Sequence, residues 1–513
     1  MLSKSPLLSR FGKAAAAFGR DRRGNAFMLI GFAMFPLLAA IGLGVDIARA
    51  HMTRVKLQQA VDAAALAGRR VMTGDDINTA KPEVASYLAF NFPAGIYGSR
   101  SLAYQTTKPD IGAVRVTAQA VLPTAIMGVF GYRTIDITAA STAVQTFKNV
   151  DIMLVLDTTG SMNTLAGSVT RIEALKDAVK ALYDQLKPAQ SLLKQKGLRM
   201  RFGILPYAAT ANVGKLLYKR NTNYIRTSNV PYYHWKVMRY WWGGGYWDFG
   251  LQTYSLAGFA NNGPLGNVNG NNDQANARWG GCVEERKTDS SITATDTRDA
   301  APATAIDLDI DRIPDGTEDT KFSPYIFDPR LTGDSTGINS YCPAEATELT
   351  EMDETTMAGL LNKLVAKGST YHDIGMIWGT RMISNGGIWG GNNPNTFNQI
   401  GVQRYIVYMT DGEISAPTES YSGYGIEDYD RRTGATSDAD NDGRHTKRFL
   451  MVCNAAKAKG ISIWTIAFAT GRVASLDKCA SSVDQSSIAA NSSDLIARFA
   501  TIGKSIGSLR ISN

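Results

Sequence analysis

Twenty consecutive residues, 26–45, carry no charged side chain, and this stretch constrains the fold more than any other. As a helix rising ~1.5 Å per residue it reaches about 30 Å, the thickness of a bilayer's hydrocarbon core. Ahead of it lie Lys4, Arg10, Lys13, Arg20, Arg22 and Arg23 against the single acid Asp21. That excess predicts that residues 1–25 stay in the cytoplasm, that residues 26–45 form a single transmembrane helix, and that everything after Val45 is exported. A cleaved signal peptide is the competing reading, but its apolar core runs only about 7–15 residues. The N-terminal charges supply +5 of the formal net charge of +8 carried by the 513-residue chain. The remainder is close to balanced, so the charge does not point to nucleic acid.

The helix is expected to continue past the bilayer. Residues 46–71 are Ala-rich, contain no Pro, and place Leu57, Val61, Ala64 and Ala65 on one face. Gly74-Asp75-Asp76 is expected to end it. Residues 46–148 thus read as a stalk and small α+β segment, with a helix over 82–92 and strands over 113–121 and 134–144. From residue 149 the texture changes. Strands over 150–156, 201–207, 404–409 and 461–468 alternate with helices over 171–187, 371–384, 444–459 and 494–506. That order predicts an α/β domain over 149–513, a doubly wound parallel sheet whose ligands sit at the carboxyl ends of the strands.

Residues 215–350 break the rhythm and read as a large insertion. It opens on aromatics and glycines (Tyr232, Tyr233, His234, Trp235 and the run Tyr240-Trp241-Trp242), passes through an Asn/Gly-rich stretch, and ends with Asp307, Asp309 and Asp311. A loop-rich subdomain stapled by Cys282–Cys342, with the aromatics as its core, is expected; a surface that binds a sugar or a protein partner is the alternative. Four cysteines, Cys282, Cys342, Cys453 and Cys479, match no zinc or redox spacing, and their exported setting favours disulfides over free thiols. Of three possible pairings, proximity favours Cys282–Cys342 and Cys453–Cys479.

The chemistry concentrates in three strings. Asp157-Thr158-Thr159-Gly160-Ser161 follows the strand over 150–156 and offers a carboxylate and two hydroxyls on alternate residues. Gly368-Ser369-Thr370 precedes a helix, and Met409-Thr410-Asp411-Gly412 ends a strand. Hard oxygen donors of this kind suit Mg²⁺, Mn²⁺ or Ca²⁺ rather than zinc or copper. A second calcium candidate, Asp438, Asp440 and Asp442 in Asp438-Ala439-Asp440-Asn441-Asp442-Gly443, matches only the start of an EF-hand loop, because the twelfth position is Phe449 where Glu is needed; a turn capping the next helix is the simpler reading. The four histidines, His51, His234, His372 and His445, are scattered, and no nucleophile elbow or His-Glu-x-x-His occurs. His372 is expected on a helix surface or beside the metal donors rather than as a base. The chain is therefore not expected to be an enzyme.

Together the three strings resemble the metal-ion-dependent adhesion site of von Willebrand factor A (vWA) domains, whose pattern is Asp-x-Ser-x-Ser with a distant Thr and a distant Asp. The resemblance implies Asp157, Thr159, Ser161, Thr370 and Asp411 as ligands of Mg²⁺ (or Mn²⁺ or Ca²⁺), directly or through water, with an open position for a carboxylate from a protein partner. Thr159 stands where Ser is commoner and keeps the hydroxyl. Arg23-Gly24-Asn25-Ala26 with the apolar span, then Gly44-Val45-Asp46 and the segment from Leu57 to Ala67, is similar to the N-terminus of TadG-like proteins of Flp (tight adherence) pilus assembly. True pilins carry Glu at the fifth position after the cleaved Gly; counting from Gly24 that position is Leu29, so the helix is expected to remain a permanent anchor. The resemblance implies a bacterial inner-membrane protein with its bulk in the periplasm, binding another pilus or envelope component. An exported adhesin, a minor pilus component, or the docking module of an exported hydrolase or stress-response system are the alternatives.

Overall fold

In the computed structural model, which describes residues 24–72, 76–110, 112–144, 147–239, 242–243, 245–266, 278–326 and 341–507, the uncharged run and the Ala-rich segment form one helix. It spans Gly24–Val71, 48 residues, and its stretch Met28–Val71 is long and apolar enough to cross a membrane. The basic residues at positions 4–23 and Gly74-Asp75 lie outside the described residues.

The chain divides into two compact units, the first being residues 1–146 with 510–513 and the second residues 147–509. In the first, Leu57, Ala60, Val61, Ala64 and Ala65 of the long helix are fully buried. They pack with Val84 and Leu88 of helix Ile77–Asn91 and with Val114, Val116 and Ala118 of an antiparallel sheet. That sheet orders Arg100–Thr107, Ala113–Pro123 and Thr134–Val144. The helix expected over 82–92 starts earlier because Asp76 caps it, its carboxylate accepting from the Asn78 N–H at 3.0 Å; Pro82 is inside the helix rather than at its first turn. Strand Arg100–Thr107 has mostly exposed side chains, so it left no alternation to read.

In the second unit, five parallel strands run in the order Met200–Tyr207, Asn149–Asp157, Ile400–Thr410, Ser462–Phe468 and Ser486–Ala489. Every residue of Asn149–Asp157 is buried, as a central strand covered on both faces requires. Ile152, Leu154 and Leu156 pack towards helices Arg171–Gln195 and Ser492–Gly507. Met153 and Val155 face helices His372–Ile383 and Asp438–Ala458. The sheet is doubly wound, as expected. Helix Arg171–Gln195 continues through Pro188 instead of stopping before it, and Leu193 beyond the Pro is buried. Strand Ser486–Ala489 is polar in sequence and was not anticipated.

The insertion is not a separate subdomain. Its strands Cys282–Glu284 and Ser323–Pro324 extend the sheet antiparallel beyond Ala211–Asn212, and Thr347–Thr350, at its end, pairs antiparallel with Met200–Tyr207. The sheet is therefore mixed rather than purely parallel. Trp279, Ile292, Leu308 and Phe322 belong to the same core as the helices of that face. Tyr232 is buried, its hydroxyl donating to the Pro324 carbonyl at 2.6 Å; the side chains of His234 and Trp235 and residues 240–241 lie outside the described residues. Asp307 is not a solvated acid: it is fully buried and paired with Arg448. Disulfides join Cys282 to Cys342 and Cys453 to Cys479.

Candidate metal site

Adjacent parallel strands bring the two aspartates together. Met409 pairs with Leu156 in register, so the strands end side by side, one on Asp157 and the other on Thr410 with Asp411 next. The third string is fastened to the first by its backbone. The Lys367 N–H donates to the Thr158 carbonyl and the Gly160 N–H to the Gly368 carbonyl, each at 2.8 Å. Gly368 has φ +92°, a left-handed conformation that a side chain would strain. Thr370, nearly buried, exchanges two backbone hydrogen bonds with Ser415, at 3.1 and 3.0 Å. Thr370 is thus held between the segments that carry the two aspartates.

The oxygens form a connected set. Asp157 Oδ1 accepts from the Thr159 N–H at 2.8 Å, and Oδ2 accepts from the Thr410 hydroxyl at 2.7 Å. The Ser161 hydroxyl donates to Asp411 Oδ1 at 2.6 Å, so its 3.1 Å contact with Thr159 Oγ1 is donated by Thr159. The other oxygen of Asp411 accepts from Arg171 at 2.8 Å. Burial and the charge of Asp411 push the Asp157 carboxyl up to about 7. Two buried carboxylates framed by hydroxyls, with Arg171 the one cation paired to them among the described residues, are a donor set rich in hard oxygen. That chemistry fits a divalent cation of the Mg²⁺ class.

Four further side chains support these donors; of them only His372 stood out in the sequence, and it is fully buried beside the donors rather than on the helix surface. Thr410 was quoted only as a neighbour of Asp411, although strand register alone would set it beside Asp157. His372 lies 3.0 Å from Thr410 Oγ1; since Thr410 gives its hydrogen to Asp157, Nε2 of His372 is the donor. Burial pushes the His372 pKa down to about 4, so the ring is neutral and holds Thr410 rather than acting as a base. Tyr207 reaches Asp157 Oδ2 at 3.5 Å. Arg171 is the first residue of its helix, behind a capping box formed by Thr170 and Glu173, and it also donates to the Ala469 carbonyl at 3.2 Å.

The second candidate does not assemble. Asp438, Asp440 and Asp442 lie in the opening turns of helix Asp438–Ala458, where a calcium loop would need open backbone. Asp438 accepts from the Thr418 N–H at 2.8 Å, Asp440 pairs with Arg444 at 3.0 Å, and Asp442 accepts from the Ala416 N–H at 2.7 Å. Among the described residues no group of three or more His, Cys, Asp or Glu side chains gathers to hold a metal. The main candidate, with two carboxylates and three hydroxyl residues, is not a site of that kind.

Residues 24–73 match the family described as putative Flp pilus-assembly TadE/G-like. No curated protein matches the chain by sequence. Similar solved structures include the pilus adhesin SpaC from Lactobacillus rhamnosus GG, at 12% identity and TM-score 0.34, covering 79% of this chain and 34% of that one. The vWF domain of the type V pili tip protein Mfa5 from Porphyromonas gingivalis gives 11% identity and TM-score 0.32, covering 70% and 96%. Proximal thread matrix protein 1 from the mussel byssus, with a zinc occupied MIDAS motif, gives 11% and 0.26, covering 70% and 46%. The chain thus spans about a third of the length of the SpaC adhesin.

Proposed function

We propose that this TadE/G-like chain is a non-enzymatic, membrane-anchored protein of Flp pilus assembly whose α/β unit captures a protein partner through a divalent metal. The helix Gly24–Val71 is the anchor, crossing the bacterial inner membrane through residues 26–45 with residues 1–25 in the cytoplasm and the rest in the periplasm. The metal donors are Asp157, Thr159, Ser161, Thr370 and Asp411. The observation that carries this reading is the convergence of three loops on one sheet end, fastened by the Lys367 and Gly160 amides. A bound Mg²⁺ would supply a Lewis-acidic position to which the carboxylate of another pilus or envelope component could add. The chain's own residues set that position up. Asp157 and Asp411 contribute negative charge, Thr159 and Ser161 orient hydroxyls, and Thr410 and His372 fix the rotamer of Asp157.

Asp157→Ala tests the assignment. It removes a carboxylate whose ionised form burial opposes, so the metal-free unit should fold as well as the parent. The variant is expected to lose Mg²⁺ binding by calorimetry and to lose EDTA-sensitive capture of the partner. Equal Mg²⁺ affinity in the variant would refute the ligand set.

A further inference from the structure

The turn joining strands Ala113–Pro123 and Thr134–Val144 lies beside the wrong part of the molecule for a water-exposed loop. Residues 123–132 (Pro-Thr-Ala-Ile-Met-Gly-Val-Phe-Gly-Tyr) hold no charge. Val129 is 83% exposed and Tyr132 68%. The turn packs on the long helix within its uncharged run. The rings of Phe35 and Phe130 meet edge to face, centroids 6.4 Å apart. A Cβ on Gly42 would come within 2.4 Å of Ile126 Cγ2, so only glycine admits this approach. Asp46 marks the end of the run, and Phe35 lies about 16 Å further along the helix axis at ~1.5 Å per residue. Phe130 therefore sits on the apolar side of Asp46.

The backbone of the turn is suited to a medium without water. Asp46, itself only 2% exposed, accepts from the Ala125, Ile126 and Met127 amides at 2.6, 3.1 and 2.9 Å. The Val129, Gly131 and Tyr132 amides donate to the Ile126, Gly128 and Met127 carbonyls, and the Thr124 hydroxyl donates to the Tyr132 carbonyl. Unpaired backbone groups are what hydrocarbon penalises most, and here internal partners are supplied. Tyr132 and Arg133 follow at the rim, an amphipathic ring and a cation of the kinds that settle among headgroups.

We propose that residues 123–132 are a second membrane-contacting element, a short apolar wedge entering the leaflet nearer the folded unit. The proposal rests on the reading of residues 26–45 as a membrane span. The occupant of the apolar surface is lipid, because the surface is continuous with the exposed apolar face of the helix, where Leu37 is 61% and Leu38 48% exposed. Two attachments, one on the helix and one on the sheet, would fix the unit's rotation about the helix axis as well as its distance from the bilayer.

The test uses the full chain in vesicles of phosphatidylethanolamine and phosphatidylglycerol. All four native cysteines are in disulfides, so single thiols can be labelled with an environment-sensitive dye at V129C, at L37C in the helix, and at Y104C on strand Arg100–Thr107. The expected result is that labels at V129C and L37C emit to the blue and are quenched by nitroxides on lipid acyl chains, while Y104C is quenched only by aqueous iodide. Quenching of L37C with V129C behaving like Y104C would overturn the wedge and leave the anchor standing. Failure of lipid quenching at L37C as well would overturn both. Val129 is so exposed that its replacement disturbs no packing, and V129S with the label at Tyr132→Cys provides a second reading of the same turn.

Discussion

At the scale of single residues, Asp157 holds the electrostatic conflict of the site, and the conflict gives a pH signature. With its carboxyl raised to about 7 by burial and by Asp411, a proton and a metal ion compete for the same oxygens. Between the ordinary carboxylate pKa and about 7 the metal-free native state holds a proton that the unfolded chain has lost, so this group makes the metal-free fold less stable as pH rises through that window. Mg²⁺ should reverse the trend by taking the proton's place. Affinity measured by calorimetry is expected to fall about tenfold from about pH 8 to about pH 6, with close to one proton released per ion bound at the lower pH. Arg171 gives a second prediction. Its guanidinium, 2.8 Å from Asp411 Oδ2, is a built-in cation beside donors meant for another one. Arg171→Gln should raise Mg²⁺ affinity by roughly threefold to tenfold, since like charges repel in a partly buried site. A fall instead would mean that Arg171 acts chiefly by orienting Asp411.

At the scale of elements, the donors depend on how strand ends and helix starts are held. Helix Asp438–Ala458 is tied to the short helix Ala474–Cys479 by Cys453–Cys479 across 26 residues. Closing a loop of that length restricts the unfolded chain by about 3 kcal/mol. Replacing both cysteines by Ala should lower unfolding stability by about that amount in urea. All eight tryptophans lie between residues 235 and 464, so their fluorescence follows the second unit alone. The strands and helices that could be read from sequence are the ones whose burial imposes a period: Asn149–Asp157, Met200–Tyr207, Ile400–Thr410 and Ser462–Phe468 all stood out as apolar runs. Ser486–Ala489 and Arg100–Thr107 did not, because edge strands with polar or exposed side chains carry no such pattern. Local rules misjudged the helices at their ends. Pro188 marked a stop that the burial of Leu193 overrides, and the acidic turn at Asp438 is helix because Ser437 caps it, accepting from the Asp440 N–H. The metal donors were legible as strings, and His372 as a neighbour of Thr370; Arg171, Thr410 and Tyr207 were not, since their roles come from register and from contacts across long separations.

At the scale of the whole α/β unit, the insertion locks one face of the fold. Asp307 is the link. Its backbone carbonyl accepts from Arg381 of helix His372–Ile383, and its carboxylate pairs with Arg448 of helix Asp438–Ala458. Arg381 also pairs with Glu285 of the insertion at 2.9 Å, with both side chains buried. Helix His372–Ile383 begins with the histidine that holds Thr410 against Asp157, so displacement of the insertion should reach the metal donors through that helix. Asp307→Ala would leave Arg448 buried without its counter-charge, a loss expected to cost about 3–5 kcal/mol. Replacing both partners with apolar residues, Asp307→Leu with Arg448→Met, should recover most of that stability, because the pair's mutual attraction only offsets the cost of desolvating two charges. Urea unfolding followed by tryptophan fluorescence separates the cases. If the single and double variants are equally destabilised, Asp307 acts through its place in the packing and not through its charge. If the single variant alone is destabilised and its Mg²⁺ affinity also falls, the insertion is coupled to the site through helix His372–Ile383.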